Sequence, residues 1–173
     1  MTYATFYLTI KLIVEGFGGD CLDIYIRLRE LGIELPEQPE PVGLFVPVKR
    51  VGNLLYLSGQ GSYIGDDWVK GKVGAECSLE EAQRGARLCM INLLAVMHSY
   101  LGDLNRLKGP VKLLGFVNGA PDFGQQPSVI NGASQLLLDL FGEEGVHARS
   151  AIGAGSLPMG ISCEIEAIFE LKE

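Results

Sequence analysis

Arg149, in the run Ala148-Arg149-Ser150, carries a planar guanidinium that stays charged at any working pH and offers a carboxylate two parallel donors. Taken by its residue type alone, an arginine at the start of a strand is an ordinary salt-bridge partner, so both readings stand at this point. Glu164, Glu166 and Glu170 fall on one side of an alternating segment. A carboxylate there could orient or deprotonate a water molecule. Each could equally be a solvated charge, and parity alone does not select Glu164. Ser58, before Gly59-Gln60, and Asn131 are the remaining polar groups that could line a cleft. Their ordinary alternatives are a serine satisfying turn backbone and an asparagine bonding within its own helix.

Other chemistries find less support. Cys21, Cys77, Cys89 and Cys163 have no C-x-x-C spacing, and His98 and His147 lie far apart, so no metal site is expected. Gly153-Ala154-Gly155 lacks the full dinucleotide fingerprint, and no cofactor is expected. The net charge of −7, with only 14 Lys and Arg scattered along the chain, opposes binding to phosphate backbones or anionic membranes. No His or Lys pair suited to acid–base cleavage of RNA is evident. Cys89 fits an apolar helix face and reads as core, and His98 falls in the last turns of a helix, where it favours the dipole. Nothing marks the chain as secreted, so reduced thiols and a cytoplasmic location are expected.

The elements that must hold these residues can be read from periodicity. At 173 residues and 47% hydrophobic composition the chain suits a single core. Residues 1–14 are apolar, but Lys11 interrupts them, no basic start or cleavage site marks a signal, and the run is too short to cross a bilayer. Phe6, Leu8, Ile10, Leu12 and Val14 alternate as in a strand. A short helix is predicted over residues 22–31, closed by Gly32, and Pro36, Pro39 and Pro41 make an extended linker. Residues 1–42 are thus set apart as an extension, and 43–173 as the domain.

Within that domain Gly52-Asn53 joins strands at 45–51 and 54–58 as a tight hairpin, with Pro47 marking an edge, and a third strand is expected over 68–73. Ser78 and Glu81 have capping-box spacing at the head of a long helix ending at Gly102. A strand over 111–117, a helix over 127–141 and closing strands over 149–154 and 161–171 follow. The expected class is α+β: a mixed sheet with two helices packed on one face.

Gly52-Asn53-Leu54-Leu55-Tyr56-Leu57-Ser58-Gly59-Gln60 resembles the Ser-Gly-Gln signature of the Rid family, the RidA or YjgF proteins. Phe116-Val117-Asn118, Val129-Ile130-Asn131, Ala148-Arg149-Ser150, Leu157-Pro158 and Glu164-Ile165-Glu166-Ala167 follow in the family's order, from about Gly43 to Leu171. Several separated motifs in order weigh far more than one. The resemblance implies a chorismate-mutase-like fold, a homotrimer, and ligand clefts between subunits. Ile168, on the polar side of the last segment, is expected where a sheet face meets another subunit, and equally reads as one exposed isoleucine on a solvated face.

The resemblance also implies that Arg149 binds a substrate carboxylate, that Glu164 handles the attacking water, and that Ala151 offers a main-chain group where many members have cysteine. Phe45, Ser58 and Asn131 would line the cleft. Phe45 stands in place of a frequent tyrosine, keeping an aromatic wall without the hydroxyl, and His147 replaces the usual proline before Ala-Arg. The implied activity is hydrolysis of reactive enamines or imines to 2-keto acids and ammonia, on a small carboxylate-bearing metabolite. The alternatives are a small-metabolite binding or regulatory protein using the same arginine without turnover, and an endoribonuclease or translation inhibitor, which the acidic charge opposes.

Overall fold

The computed structural model describes residues 23–37 and 43–172. The strand-like alternation of residues 6–14, Cys21, Pro39 and Pro41 lie outside them. A five-stranded mixed sheet runs in the order β1 (Val48–Val51), β2 (Leu54–Gly61), β7 (Cys163–Leu171), β5 (Leu107–Val117), β6 (Ala148–Gly153). Neighbours are antiparallel except for β5 and β6, which are parallel. Chain order therefore differs from spatial order. The last strand enters the middle of the sheet, and β6, which carries Arg149, is left at its edge.

Two helices, α2 (Leu79–Leu101) and α3 (Gln126–Phe141), cover one face. Ser78 and Glu81 form the reciprocal capping box that their spacing predicts, and Gly102 closes α2 at φ 76°. Both helices turn their apolar sides to the sheet, where Met90, Leu93, Leu94, Met97, Leu136 and Leu137 are buried. Along β7 the residues Cys163, Ile165, Ala167, Phe169 and Leu171 are buried beneath them, while Glu164, Glu166, Ile168 and Glu170 alternate on the outer side. The expected α+β arrangement, a mixed sheet with two helices packed on one face, is the one observed.

Local differences have local causes. The hairpin at Gly52-Asn53 pairs Val51 with Leu54, and β1 lies at the sheet edge, as Pro47 suggests. Instead of a strand over 68–73 there is a small hairpin of β3 (Tyr63–Ile64) and β4 (Asp67–Trp68), in which the Tyr63 and Trp68 rings stack at 4.1 Å. That stacking, with Lys70 over the Trp68 ring, takes up side chains whose type suggested a longer strand.

The helix expected near residues 22–31 is α1 (Ile24–Glu30), capped by the Asp23 carboxylate and followed by Gly32 at φ 64°. Sequence reading set it in an extension outside the domain. Over residues 23–37, however, the chain is joined to the core: Ile24 and Leu28 are buried in the main apolar cluster. The Tyr25 hydroxyl bonds to His98 Nδ1 at 2.9 Å and accepts from the Leu104 amide at 2.9 Å. His98 thus has a specific partner, beyond the helix-end dipole.

Candidate functional site

Strand β6 follows α3 through a one-turn 3₁₀ segment, Gly142–Gly145, which reverses the chain and lays Arg149 against α3. Gly145 packs so closely on the Leu137 and Leu138 backbone that a Cβ has no room. Its carbonyl is thereby fixed below His147. Gly132 plays a similar part on α3, where a Cβ would strike the Gln83 main chain of α2. Asn131 and Ser134, three residues apart, share the side of α3 that meets β6.

The Arg149 guanidinium is half-buried and donates from Nη1 to Asn131 Oδ1 at 2.8 Å and to Ser134 Oγ at 2.9 Å. Both Nη1 hydrogens are thereby used. Among the described residues the Nε and Nη2 hydrogens, which lie along one edge of the group, have no acceptor, and no carboxylate pairs with the guanidinium. Burial pulls its pKa down from the ordinary value, the signature of a cation only partly compensated.

Beside it, Ser134 Oγ lies 3.0 Å from His147 Nε2, and His147 Nδ1 lies 2.7 Å from the Gly145 carbonyl. Burial holds the His147 pKa below the usual imidazole range; the Gly145 hydrogen bond opposes this and the Arg149 charge reinforces it. Sequence reading noted His147 only as a substitution for proline, and missed Ser134. The signals were present: Ser134 is one helical turn from Asn131, and His147 is two residues from Arg149 on the same side of a strand.

Glu164 lies elsewhere. Arg149 is level with Leu113, buried beneath the helices, whereas Glu164 is level with Phe116 on the outer face. The two are on opposite faces of the sheet. Strand β2 shifts register between Leu57 and Gln60, and the Glu164 carboxyl fills the space that a Cβ on Gly59 would take. Burial, and next the Glu166 charge, push its pKa up, and no protein donor reaches it among the described residues. Glu166 is exposed. Glu170 is engaged by Lys108 at 3.1 Å and by Asn53 Nδ2 at 3.1 Å. Environment therefore separates three glutamates that parity could not.

The other candidates divide between the two places. Asn131 holds Arg149 directly. Ala151 follows on β6, opposite Gly115, with its side chain against the core. Ser58 is on β2, where its hydroxyl donates to the Val46 carbonyl at 2.8 Å. Phe45 precedes β1, largely exposed, with its ring against Gly43. An open depression on the outer face, lined by Val46, Lys49, Tyr56, Ser58, Lys112 and Glu166 among others, lies between them. No cluster of three or more His, Cys, Asp or Glu suited to a metal occurs among the described residues, and no helix there is long and apolar enough to cross a membrane.

Comparison with known proteins agrees with this architecture. The sequence profile of the family described as "YjgF/chorismate_mutase-like, putative endoribonuclease" matches residues 25–171. Protein TCP17 of Trypanosoma cruzi is 42% identical over 149 residues, 84% of this chain and 92% of that protein. The crystal structure of Atu1372 from Agrobacterium tumefaciens, a protein of unknown function, superposes with a TM-score of 0.78 at 45% identity, covering 86% of this chain and 91% of the other. A 2-iminobutanoate/2-iminopropanoate deaminase of Dermatophagoides farinae is 27% identical over 140 residues, covering 81% of this chain and 95% of the enzyme. The profile match begins at Tyr25, inside α1, so that helix is part of what is shared. With the match spanning both helices and every strand of the sheet, the chain belongs to the YjgF/chorismate mutase-like family, the Rid proteins.

Proposed function

We propose that this protein hydrolyses 2-imino acids, and the enamines that tautomerise to them, to 2-keto acids and ammonia, in clefts completed between the subunits of a homotrimer. The observation that carries this reading is the half-buried Arg149 guanidinium, pinned by two neutral oxygens and without a carboxylate partner among the described residues. Its open Nε–Nη2 edge suits a substrate carboxylate in bidentate fashion. An enamine first takes a proton on carbon to become the imine. Water then adds to the imine carbon as Glu164 takes its proton and returns it to the nitrogen; the proton of the new hydroxyl follows by the same route, and the nitrogen departs as ammonia while the carbon–oxygen double bond forms. A carboxylate whose pKa is raised by burial is a fitting base for that step. Because Arg149 and Glu164 lie on opposite faces of one sheet, a shared substrate calls for residues from two chains. The outer face supports such an assembly, carrying Tyr56, Leu114 and Ile168 among its charges.

The endoribonuclease description attached to the family fits this chain less well, since its net charge is −7 and only one cation is held at the Arg149 corner. The test is coupled turnover with an amino-acid oxidase, following loss of several 2-imino acids against the buffer rate. Acceleration is expected. Arg149→Ala should lower turnover efficiency by about a hundredfold, as for loss of a charge-assisted contact of about 2 to 3 kcal/mol, and Arg149→Lys should recover little. Ligand binding without acceleration would leave a metabolite-binding protein, and wild-type rates from a folded Arg149→Ala would remove the carboxylate anchor.

A further inference from the structure

Resting on the reading of Arg149 as the carboxylate anchor, we infer that His147 and Ser134 form a one-way hydrogen-bond relay that positions the Arg149 guanidinium, so that His147 is a positioning residue that must be uncharged for the ligand to bind. The direction of every bond follows from the chemistry of its ends. The Gly145 carbonyl only accepts, so His147 Nδ1, 2.7 Å away, carries the proton. In a neutral imidazole Nε2 is then a lone pair. Ser134, 3.0 Å from it, must donate its hydroxyl proton there. That leaves the Ser134 oxygen free to accept from Arg149 Nη1 at 2.9 Å. The chain of donors runs from Arg149 to Ser134 to His147 to the Gly145 carbonyl, without a conflict.

Protonation of His147 undoes this order. Nε2 becomes a donor, the Ser134 hydroxyl proton loses its acceptor, and one oxygen is flanked by two cations. The oxygen can accept from both, but the repulsion between imidazolium and guanidinium pushes Arg149 away from Ser134 and leaves Asn131 as its neutral hold. Among the described residues the surroundings of His147 offer no compensating anion. On its own strand the charged neighbour is Arg149. From α3 come neutral Asn131 and Ser134, while Asp139 is occupied by Gln135 Nε2 at 2.9 Å. Glu143 and Glu144 of the preceding turn are exposed, and both ring nitrogens of His147 are already bonded elsewhere. From β5 the residue level with Arg149 is Leu113, and Lys112, level with Ala148, belongs to the other face. Burial, opposed by the Gly145 hydrogen bond and reinforced by the Arg149 charge, lowers the His147 pKa and so favours the neutral ring.

The test is calorimetric binding of 2-oxobutanoate to the full chain from about pH 5 to about pH 8, with kcat and KM for a 2-imino acid alongside, and circular dichroism of every variant. Wild-type affinity should fall as pH drops through the lowered imidazole pKa. His147→Gln keeps an uncharged acceptor for Ser134 and cannot titrate; it should bind close to wild type at the alkaline end and lose the acid limb. His147→Leu and Ser134→Ala should each bind about tenfold more weakly than wild type at the alkaline end, with KM rising and kcat little changed, and their combination should add almost nothing. Affinity that is constant or improves on acidification overturns the relay. So does a folded Ser134→Ala with wild-type affinity, or His147→Gln as weak as His147→Leu. Arg149→Ala keeps the two questions apart: if it binds as tightly as wild type, the anchor itself is wrong, and if it does not bind while His147→Leu binds as tightly as wild type, the relay alone fails.

Discussion

Around Arg149 the polar atoms that face inward are satisfied by the same chain, and the helix, turn and strand that carry them are joined through buried glycines with no slack. Across the sheet, Glu164 is half-buried beside Glu166 with no donor among the described residues, on a face where Ile168 and Tyr56 remain partly open to water. A preformed corner of this kind needs little ordering when a ligand arrives. The outer face has the opposite property: the charged form of Glu164 is disfavoured until something supplies it with partners. The contrast places cation and base under different controls, one internal and one dependent on whatever covers the sheet.

The most severe way to break the comparison is to spoil the outer face while leaving the Arg149 corner intact. Ile168→Glu sets a charge among Glu164, Glu166 and Glu170 and should convert the proposed trimer of 18.7 kDa chains to monomers by light scattering, with the proposed turnover abolished. A monomer that retains wild-type turnover would show that the Glu164 side is complete in one chain.

Glu164→Gln tests the base without disturbing the assembly. The maximal rate should fall by about a hundredfold, within the usual range for a lost general base, while 2-oxobutanoate still binds. Glu166→Gln, exposed on the same strand side, should change turnover little, and equal losses from the two would end the distinction drawn from burial. The pH dependence has a definite sign. A raised pKa means that the working carboxylate is lost as pH falls through a value above the ordinary glutamate range, so kcat should decline earlier on the acid side than an exposed carboxylate would allow. The same shift makes the stability contribution of Glu164 greatest below its ordinary pKa and least above its raised one, so Glu164→Gln should gain stability only on the alkaline side.

Sequence alone carried the fold further than the site. Capping at Ser78, the Gly52-Asn53 turn and the period-two pattern of residues 161–171 are local signals, and each element appears within a few residues of where they point. Arg149 and Asn131 were legible through the family's motifs, and they do meet. The opposite facing of Arg149 and Glu164 was not legible, because it depends on the register of β5 with both its neighbours, which no local pattern encodes. Ser134 was hidden for a related reason: a serine in a helix reads as surface until the strand beside it is known. The prolines after α1 suggested a boundary because they break regular structure, yet an extended segment can tether a packed helix as well as separate a loose one.

Helix α1 gives a prediction of middle size. Leu28, buried at 3% exposure, should cost about 2 to 4 kcal/mol on truncation to alanine, measured by denaturant unfolding, with turnover per folded molecule unchanged. A negligible loss would mean that α1 is a detachable covering, as its place before the prolines first suggested.

The smallest effect is expected at Ser58, and it bears on how the two regions are connected. Its hydroxyl donates to the Val46 carbonyl at 2.8 Å, and its amide donates to the Pro47 carbonyl at 3.0 Å, so it fastens the segment bearing Phe45 to the start of the β2 bulge. Removing the hydroxyl leaves the backbone bond, and the Val46 carbonyl is near enough to the surface to find water. Ser58→Ala should therefore cost less than about 1 kcal/mol in unfolding free energy. If Ser58 acts only by holding Phe45, KM should rise by a small factor at constant kcat, and Phe45→Ala should produce the same change without a further loss in the double variant. A fall in kcat from Ser58→Ala that exceeds the change in KM would instead place the serine hydroxyl against the reacting atoms, on the Glu164 side of the sheet.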